Sequence, residues 1–172
     1  MRQRHGFFGV LSLLGFLGLV ALQGTALAAT YQHSLYSMDY PGTWTVQQLN
    51  SVPDELWDMI PMDEIPGFLQ GVIQNISPEK PILQLTGPAG AVVYVAVVEV
   101  PSIARSFVEE GLFEEATLDE GDGLPPGYLG HVAAIGSPGK EYVAGLMLEA
   151  PTSVFDQVDR DFEAMVASFA WQ

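Results

Sequence analysis

Cysteine is absent from the 172 residues. That excludes thiol catalysis, cysteine-ligated metals, disulfide staples and a lipobox anchor, and it leaves the fold to rest on its core alone, which a chain of this length can supply. Basic residues are almost as scarce, with six lysines and arginines against 21 aspartates and glutamates. Such a surface repels phosphate backbones and anionic headgroups, so nucleic acid is excluded as a partner, while a basic protein surface or divalent cations are electrostatically favoured. Catalytic signatures are missing too. No G-x-S-x-G, H-E-x-x-H, glycine-rich phosphate loop or zinc-ligand spacing occurs, and no cofactor is expected.

The first segment has the grammar of a secretory leader. Arg2 and Arg4 precede an apolar run from Phe7 to Leu22, and small residues in A-x-A spacing follow, placing cleavage after Ala28 or Ala29. Residues 1–29 thus read as a signal peptide and 30–172 as a single domain. The run is slightly shorter than the ~20 residues that span a bilayer and lacks a basic stop-transfer cluster. Membrane contact is expected only through this segment, were it left uncleaved. The exported chain keeps Lys80, Arg105, Lys140 and Arg160 against all 21 acids, a net charge of −17. The expected location is periplasm, thylakoid lumen or extracellular space.

Beyond the leader, residues 31–48 alternate apolar and polar around Pro41-Gly42, which suits two short strands joined by a turn, with Trp44, Val46 and Gln48 on one face. Ile65, Phe68, Leu69, Val72, Ile73 and Ile76 recur at helical spacing behind Pro66. A strand over Ile82–Thr86 turns at Gly87–Gly90 into Ala91–Val100, whose unbroken apolar character predicts burial on both faces. Ser102 is placed to cap a short helix through Val108, and Glu109–Asp122 reads as an acidic patch. Tyr128–Ile135 and Glu141–Glu149 form a hairpin across Gly136–Gly139. A last helix has a capping-box-like start at Ser153 and Asp156 and the stripe Phe155, Val158, Phe162, Met165, Val166, Phe169. Hairpins dominate over crossovers, so the expected class is α+β: an antiparallel β-sheet flanked by helices on both faces, an α/β/α sandwich.

Two stretches now gain meaning together. Tyr36-Ser-Met-Asp-Tyr-Pro-Gly-Thr-Trp44, carrying Tyr36, Tyr40, Pro41 and Trp44, resembles the opening of the PsbP-like family, named for an extrinsic subunit of photosystem II and sharing its fold with the Ran-binding Mog protein. The closing run Phe162–Phe169, with Phe162, Ser168 and Phe169, is similar to that family's last helix. The resemblance spans nearly the whole exported chain and implies the Mog/PsbP-like fold and a non-enzymatic module that binds or stabilises a partner, another exported or membrane-complex protein. Metal binding known among relatives does not transfer, because His33 and His131 are the only histidines after the leader.

The remaining candidates are modest. His131 with an acid and a serine would make a triad, but its apolar strand context favours a partly buried structural histidine. Asp119–Gly123 has oxygen ligands and glycines as a calcium loop would, yet it fails the EF-hand register, so an exposed acidic loop is expected, with calcium binding as the alternative. Trp44, Trp57 and Tyr40 suit core packing. The leading function is therefore a protein-binding module. A carrier holding a small apolar ligand between the sheet and the 65–76 helix is the alternative, and an enzyme acting on an envelope polymer rests on location alone.

Overall fold

A computed structural model describes residues 28–51, 53 and 78–172. The expected helix over 65–76 and Trp57 lie outside the described residues. Among the described residues nine strands and one α-helix follow in chain order: β1 (Ala28–Gln32), β2 (Tyr36–Pro41), β3 (Thr45–Leu49), β4 (Pro78–Thr86), β5 (Val92–Glu99), β6 (Gly111–Leu118), β7 (Tyr128–Gly136), β8 (Tyr142–Pro151), α1 (Phe155–Ser168) and β9 (Ala170–Trp171). They make a six-stranded antiparallel sheet in the order β3-β4-β5-β8-β7-β6 and a small sheet, β1-β2-β9.

The core lies on one face of the large sheet. Alternation brings Leu83 and Leu85 of β4, Val93, Val95 and Val97 of β5, and Ala144, Leu146 and Leu148 of β8 into one buried layer. The stripe Phe155, Val158, Phe162, Met165 and Val166 of α1 closes over it, joined by Tyr36 and Met38 of β2. The helical stripe is thus as its spacing predicts.

Several expectations need correction. Among the described residues one helix flanks the sheet, on one face, so helices on both faces are not supported. In β5 the residues between the core positions, Val92, Tyr94, Ala96 and Val98, are half-buried. An unbroken valine run therefore does not mark a strand sealed on both sides, because β-branched residues also suit a half-covered sheet surface. Pro41-Gly42 turns the chain, with the Trp44 amide donating to Pro41 O at 2.9 Å, but the strands it joins do not pair. β2 belongs to the small sheet and β3 pairs with β4. The turn is a crossing between layers rather than a hairpin. The Ser102 helix is reduced to a single 3₁₀ turn, Arg105–Phe107. Ser153 does not cap α1, whose first flanking residue is Val154 with no side-chain cap; Asp156 still lies in the first turn, where a carboxylate suits the helix dipole. The acidic patch contains strand β6, which the edge of a sheet tolerates because its solvent side needs no apolar residue.

Trp44 is the clearest anchor. Its ring is buried, its Nε1 donates to Asp161 Oδ2 of α1 at 2.9 Å, and Gly87 packs so closely on it that a Cβ there would meet the ring at 2.6 Å. Trp44→Ala leaves a cavity and an unpaired carboxylate, and is expected to lower stability by about 3–5 kcal/mol in urea unfolding. A loss below the ~0.5 kcal/mol typical of surface changes would show the ring is not a core anchor.

Tyr36 gives a second test. It is buried, its hydroxyl has no hydrogen-bond partner among the described residues, and burial, with a smaller contribution from Tyr31, holds its ionisation well above the ordinary tyrosine value. The folded chain thus keeps Tyr36 neutral at pH values where the unfolded chain ionises it, so this contribution is intact below pH ~10 and declines above it. Tyr36→Phe is expected to leave stability unchanged or raise it by up to ~1–3 kcal/mol at neutral pH, since an orphaned hydroxyl is removed. It is also expected to blunt the fall in stability above pH ~10. A clear loss of stability at neutral pH would contradict both statements.

Candidate functional site

The two family-like stretches, distant in sequence, meet in space. Tyr36 stacks on Phe169 with ring centroids 4.9 Å apart. The amide of Asp39 donates to Ser168 Oγ at 2.9 Å, and that hydroxyl lies 2.9 Å from Met165 O, to which it donates. Phe162 is fully buried, Tyr40 packs at the core margin and Pro41 ends β2. These residues form a clasp between β2 and the end of α1, and β9 continues it by pairing Tyr36 with Trp171 and Ser37 with Ala170. Ala28 and Ala29, the expected cleavage residues, are the first two of β1, opposite Pro41 and Tyr40. The described residues contain no helix long and apolar enough to cross a membrane.

His131 is the most chemically loaded side chain. It sits in the inward row of β7, only 8% exposed, with its ring 4.9 Å from that of Phe162. Its Nδ1 lies 2.6 Å from Asp159 Oδ1 of α1, and its Nε2 lies 3.0 Å from Glu115 Oε1 of β6. Ionised carboxylates only accept, so both contacts are complete when both ring nitrogens carry protons. With a carboxylate at each nitrogen, neither is left to take a proton from a serine, and the triad geometry is not assembled. The two carboxylates lie at opposite sides of the ring, and no group of three or more metal-ligating side chains gathers among the described residues. The arrangement is a strut linking edge strand, neighbouring strand and helix. Sequence reasoning found the histidine but not its partners. The available signal was parity: His131 shares the inward row with Ala133 and Ile135, and Asp159 flanks the apolar stripe of α1.

The acidic loop is tied to its own backbone. Asp119 Oδ1 accepts from the Gly121 amide at 2.7 Å, Asp122 Oδ2 from the Asp119 amide at 2.8 Å, and Glu120 Oε1 from the Gly127 amide at 2.7 Å. A reciprocal capping box therefore exists here, around the 3₁₀ turn Glu120–Asp122, rather than at α1.

A recess opens beside the clasp. The strand order requires the chain from β5 to pass β8 and β7 before entering β6, and residues 100–110 make that passage. Val100 donates to Glu141 O at 2.7 Å, and Arg105 pairs with Glu141 at 3.5 Å. Gly136 admits the crossing, because a Cβ there would collide with the Glu109 carbonyl. Helix α1 covers β2, β8 and β7. An open groove of about 520 Å³ remains between its end and the start of β6, lined by Leu112, Ile135, Val166, Phe169 and Trp171, with Glu110 at the rim. Trp171 is fixed there by Nε1–H donation to Gly136 O at 3.1 Å and an edge-on contact with Phe169, centroids 5.2 Å apart. Ile103 and Phe107, exposed by 70 and 61%, belong to the crossing segment, and Leu112, exposed by 50%, to the start of β6. None of these stood out in the sequence, since isolated apolar residues in acidic loops carry no periodic signal.

The strut is testable. His131→Ala leaves Asp159 and Glu115 without the group between them, and is expected to cost about 1–3 kcal/mol and to raise amide exchange in β6 more than in β4 or β5. Unchanged β6 exchange would show that Glu115 is not held through His131.

No protein-family profile matches the sequence, and no curated protein matches it. Among solved structures, the chain is similar to the solution structure of cyanobacterial PsbP (CyanoP) from Synechocystis sp. PCC 6803, with a TM-score of 0.41, 13% sequence identity, and coverage of 91% of this chain and 99% of that one.

Proposed function

We propose that the protein is an exported, non-catalytic docking module of PsbP-like type, which binds another exported or membrane-complex protein and stabilises the assembly. The observation that carries this reading is the exposure of three large apolar side chains, Ile103, Phe107 and Leu112, along the stretch of chain that leads from β5 into β6, whose sequence also holds Glu109 and Glu110. Large apolar side chains left exposed among charged residues have the composition of a protein interface. The leader-like N-terminus supports export, to periplasm, thylakoid lumen or extracellular space. The engagement of both His131 nitrogens supports a role without catalysis.

Immobilised protein is expected to capture a partner from envelope extracts at low salt and to release it as salt rises, since acidic steering is screened over a Debye length of about 10 Å at 0.1 M. The double substitution Ile103→Asp with Phe107→Asp is expected to abolish capture by a chain that still unfolds cooperatively. Equal capture by the folded double variant would overturn the reading. Mass spectrometry of the exported chain is expected to find Ala29 or Thr30 at the N-terminus; a chain retaining the apolar run would replace the free module with an anchored one.

A carrier of a small apolar ligand is the second reading, favoured by the groove volume of about 520 Å³, which lies within the ~300–1,000 Å³ usual for ligand sites. Native mass spectrometry showing a bound apolar molecule, displaced by Trp171→Ala, would favour the carrier over the docking module.

A further inference from the structure

β6 ends the six-stranded sheet, with β7 as its neighbour on one side and no strand paired on the other among the described residues. Such an edge presents a row of backbone donors and acceptors. β3, at the opposite edge, is a shorter strand, Thr45–Leu49, without charge. β6 differs from it in two respects that bear on recognition. The groove of Leu112, Ile135 and Trp171 runs beside its first residues, and between Arg105, which pairs with Glu141, and Lys140 the strand and its flanking loops are strongly acidic. From Ser106 to Gly139 the chain has seven acids, Glu109, Glu110, Glu114, Glu115, Asp119, Glu120 and Asp122, and no lysine or arginine.

Resting on the docking reading above, we infer that the outer edge of β6 takes an extended basic segment of another protein as an added strand. The register of β6 on β7 states what that segment carries. Leu112 pairs with Ile135 and Glu115 with Ala133, so Leu112 and Glu115 lie on the helix side of the sheet, while Glu114, opposite Ala134, lies on the other. An added strand therefore places an apolar residue beside Leu112, at the mouth of the groove. It places one lysine or arginine near Glu115 and another, on the reverse face, near Glu114. Backbone hydrogen bonds supply affinity, and the apolar and basic positions supply selectivity. A second copy of this chain is disfavoured as the occupant: antiparallel pairing of two β6 strands about their centre sets Glu114 and Glu115 of one against those of the other, a repulsive arrangement that guards natural edges.

The test uses the whole protein and two labelled octapeptides of threonine and valine, one with Val-Lys-Lys-Val at its centre, so that each face of the added strand carries one lysine and one valine two residues apart, and one with Val-Glu-Glu-Val there. Fluorescence polarisation is expected to show binding of the lysine peptide alone, and amide exchange to show new protection in β6 and none in β3. Glu114→Lys and Leu112→Asp, both at exposed positions, are each expected to weaken binding about tenfold without lowering the melting temperature. Absence of lysine-peptide binding, binding without added protection in β6, or equal affinity in Glu114→Lys would each overturn the inference. So would a dimer in sedimentation that Leu112→Asp dissociates, since the second copy would then be the occupant. Capture of a partner from extracts that persists in Glu114→Lys and Leu112→Asp would leave the docking module standing and remove β6 as its contact.

Discussion

The structure depends on closing its two ends against each other. β2, near the start of the described chain, must meet the last residues of α1 and β9 for the core to be sealed. The contact between Asp39 and Ser168 spans 129 positions of sequence. Tyr36 on Phe169, the Ser168 hydroxyl on the β2 backbone, and the Gln172 amide on Leu35 O at 2.9 Å together hold that closure. Contacts of such separation are made late and at high entropic cost, so they require favourable local geometry. Aromatic stacking and a hydroxyl that both accepts and donates fit that demand, because each is directional and the rings bury substantial apolar area with few rotatable bonds.

From this closure the placement of charge follows. An acidic chain must keep carboxylates away from one another and from the apolar layer. Here they are arranged in three ways: as backbone caps in the Asp119–Asp122 loop, as partners of the Trp44 indole and the His131 ring, and as solvated groups on the edge strand. His131 is the point where the arrangement becomes structural. It draws Glu115 of β6 and Asp159 of α1 to one imidazole, so an edge strand that α1 does not cover is still tied to the helix.

What could be read from the sequence was whatever periodicity reports. The stripe of α1 follows directly from spacing, as do the positions of strands β4, β5, β7 and β8 and the hairpin at Gly136–Gly139. The motif pair around Tyr36 and Phe169 was visible as two stretches, though not as one clasp. Features decided by tertiary competition were not legible. Val154 rather than Ser153 flanks α1 because hydroxyl capping depends on backbone angles that spacing does not encode. β6 was hidden by its glutamates, because hydrophobic periodicity marks a face and an edge strand needs less of one. The half-coverage of β5 was invisible for the opposite reason, since valine suits both buried and half-buried pleats. At the candidate site, Leu112 and Trp171 are single apolar residues whose meeting is a product of strand order.

That strand order also explains why a recess exists at all. The chain leaves α1 at Ser168 because Phe169 must turn into extended backbone to stack on Tyr36 and lead β9 to β2. The helix is thereby stopped before it can reach over β6, which is the last strand of the sheet and the one placed by the long passage from β5. Closing the fold and leaving an apolar groove beside the closure are therefore the same event: the ring that completes the core at Tyr36 is the ring that walls the groove beside Trp171.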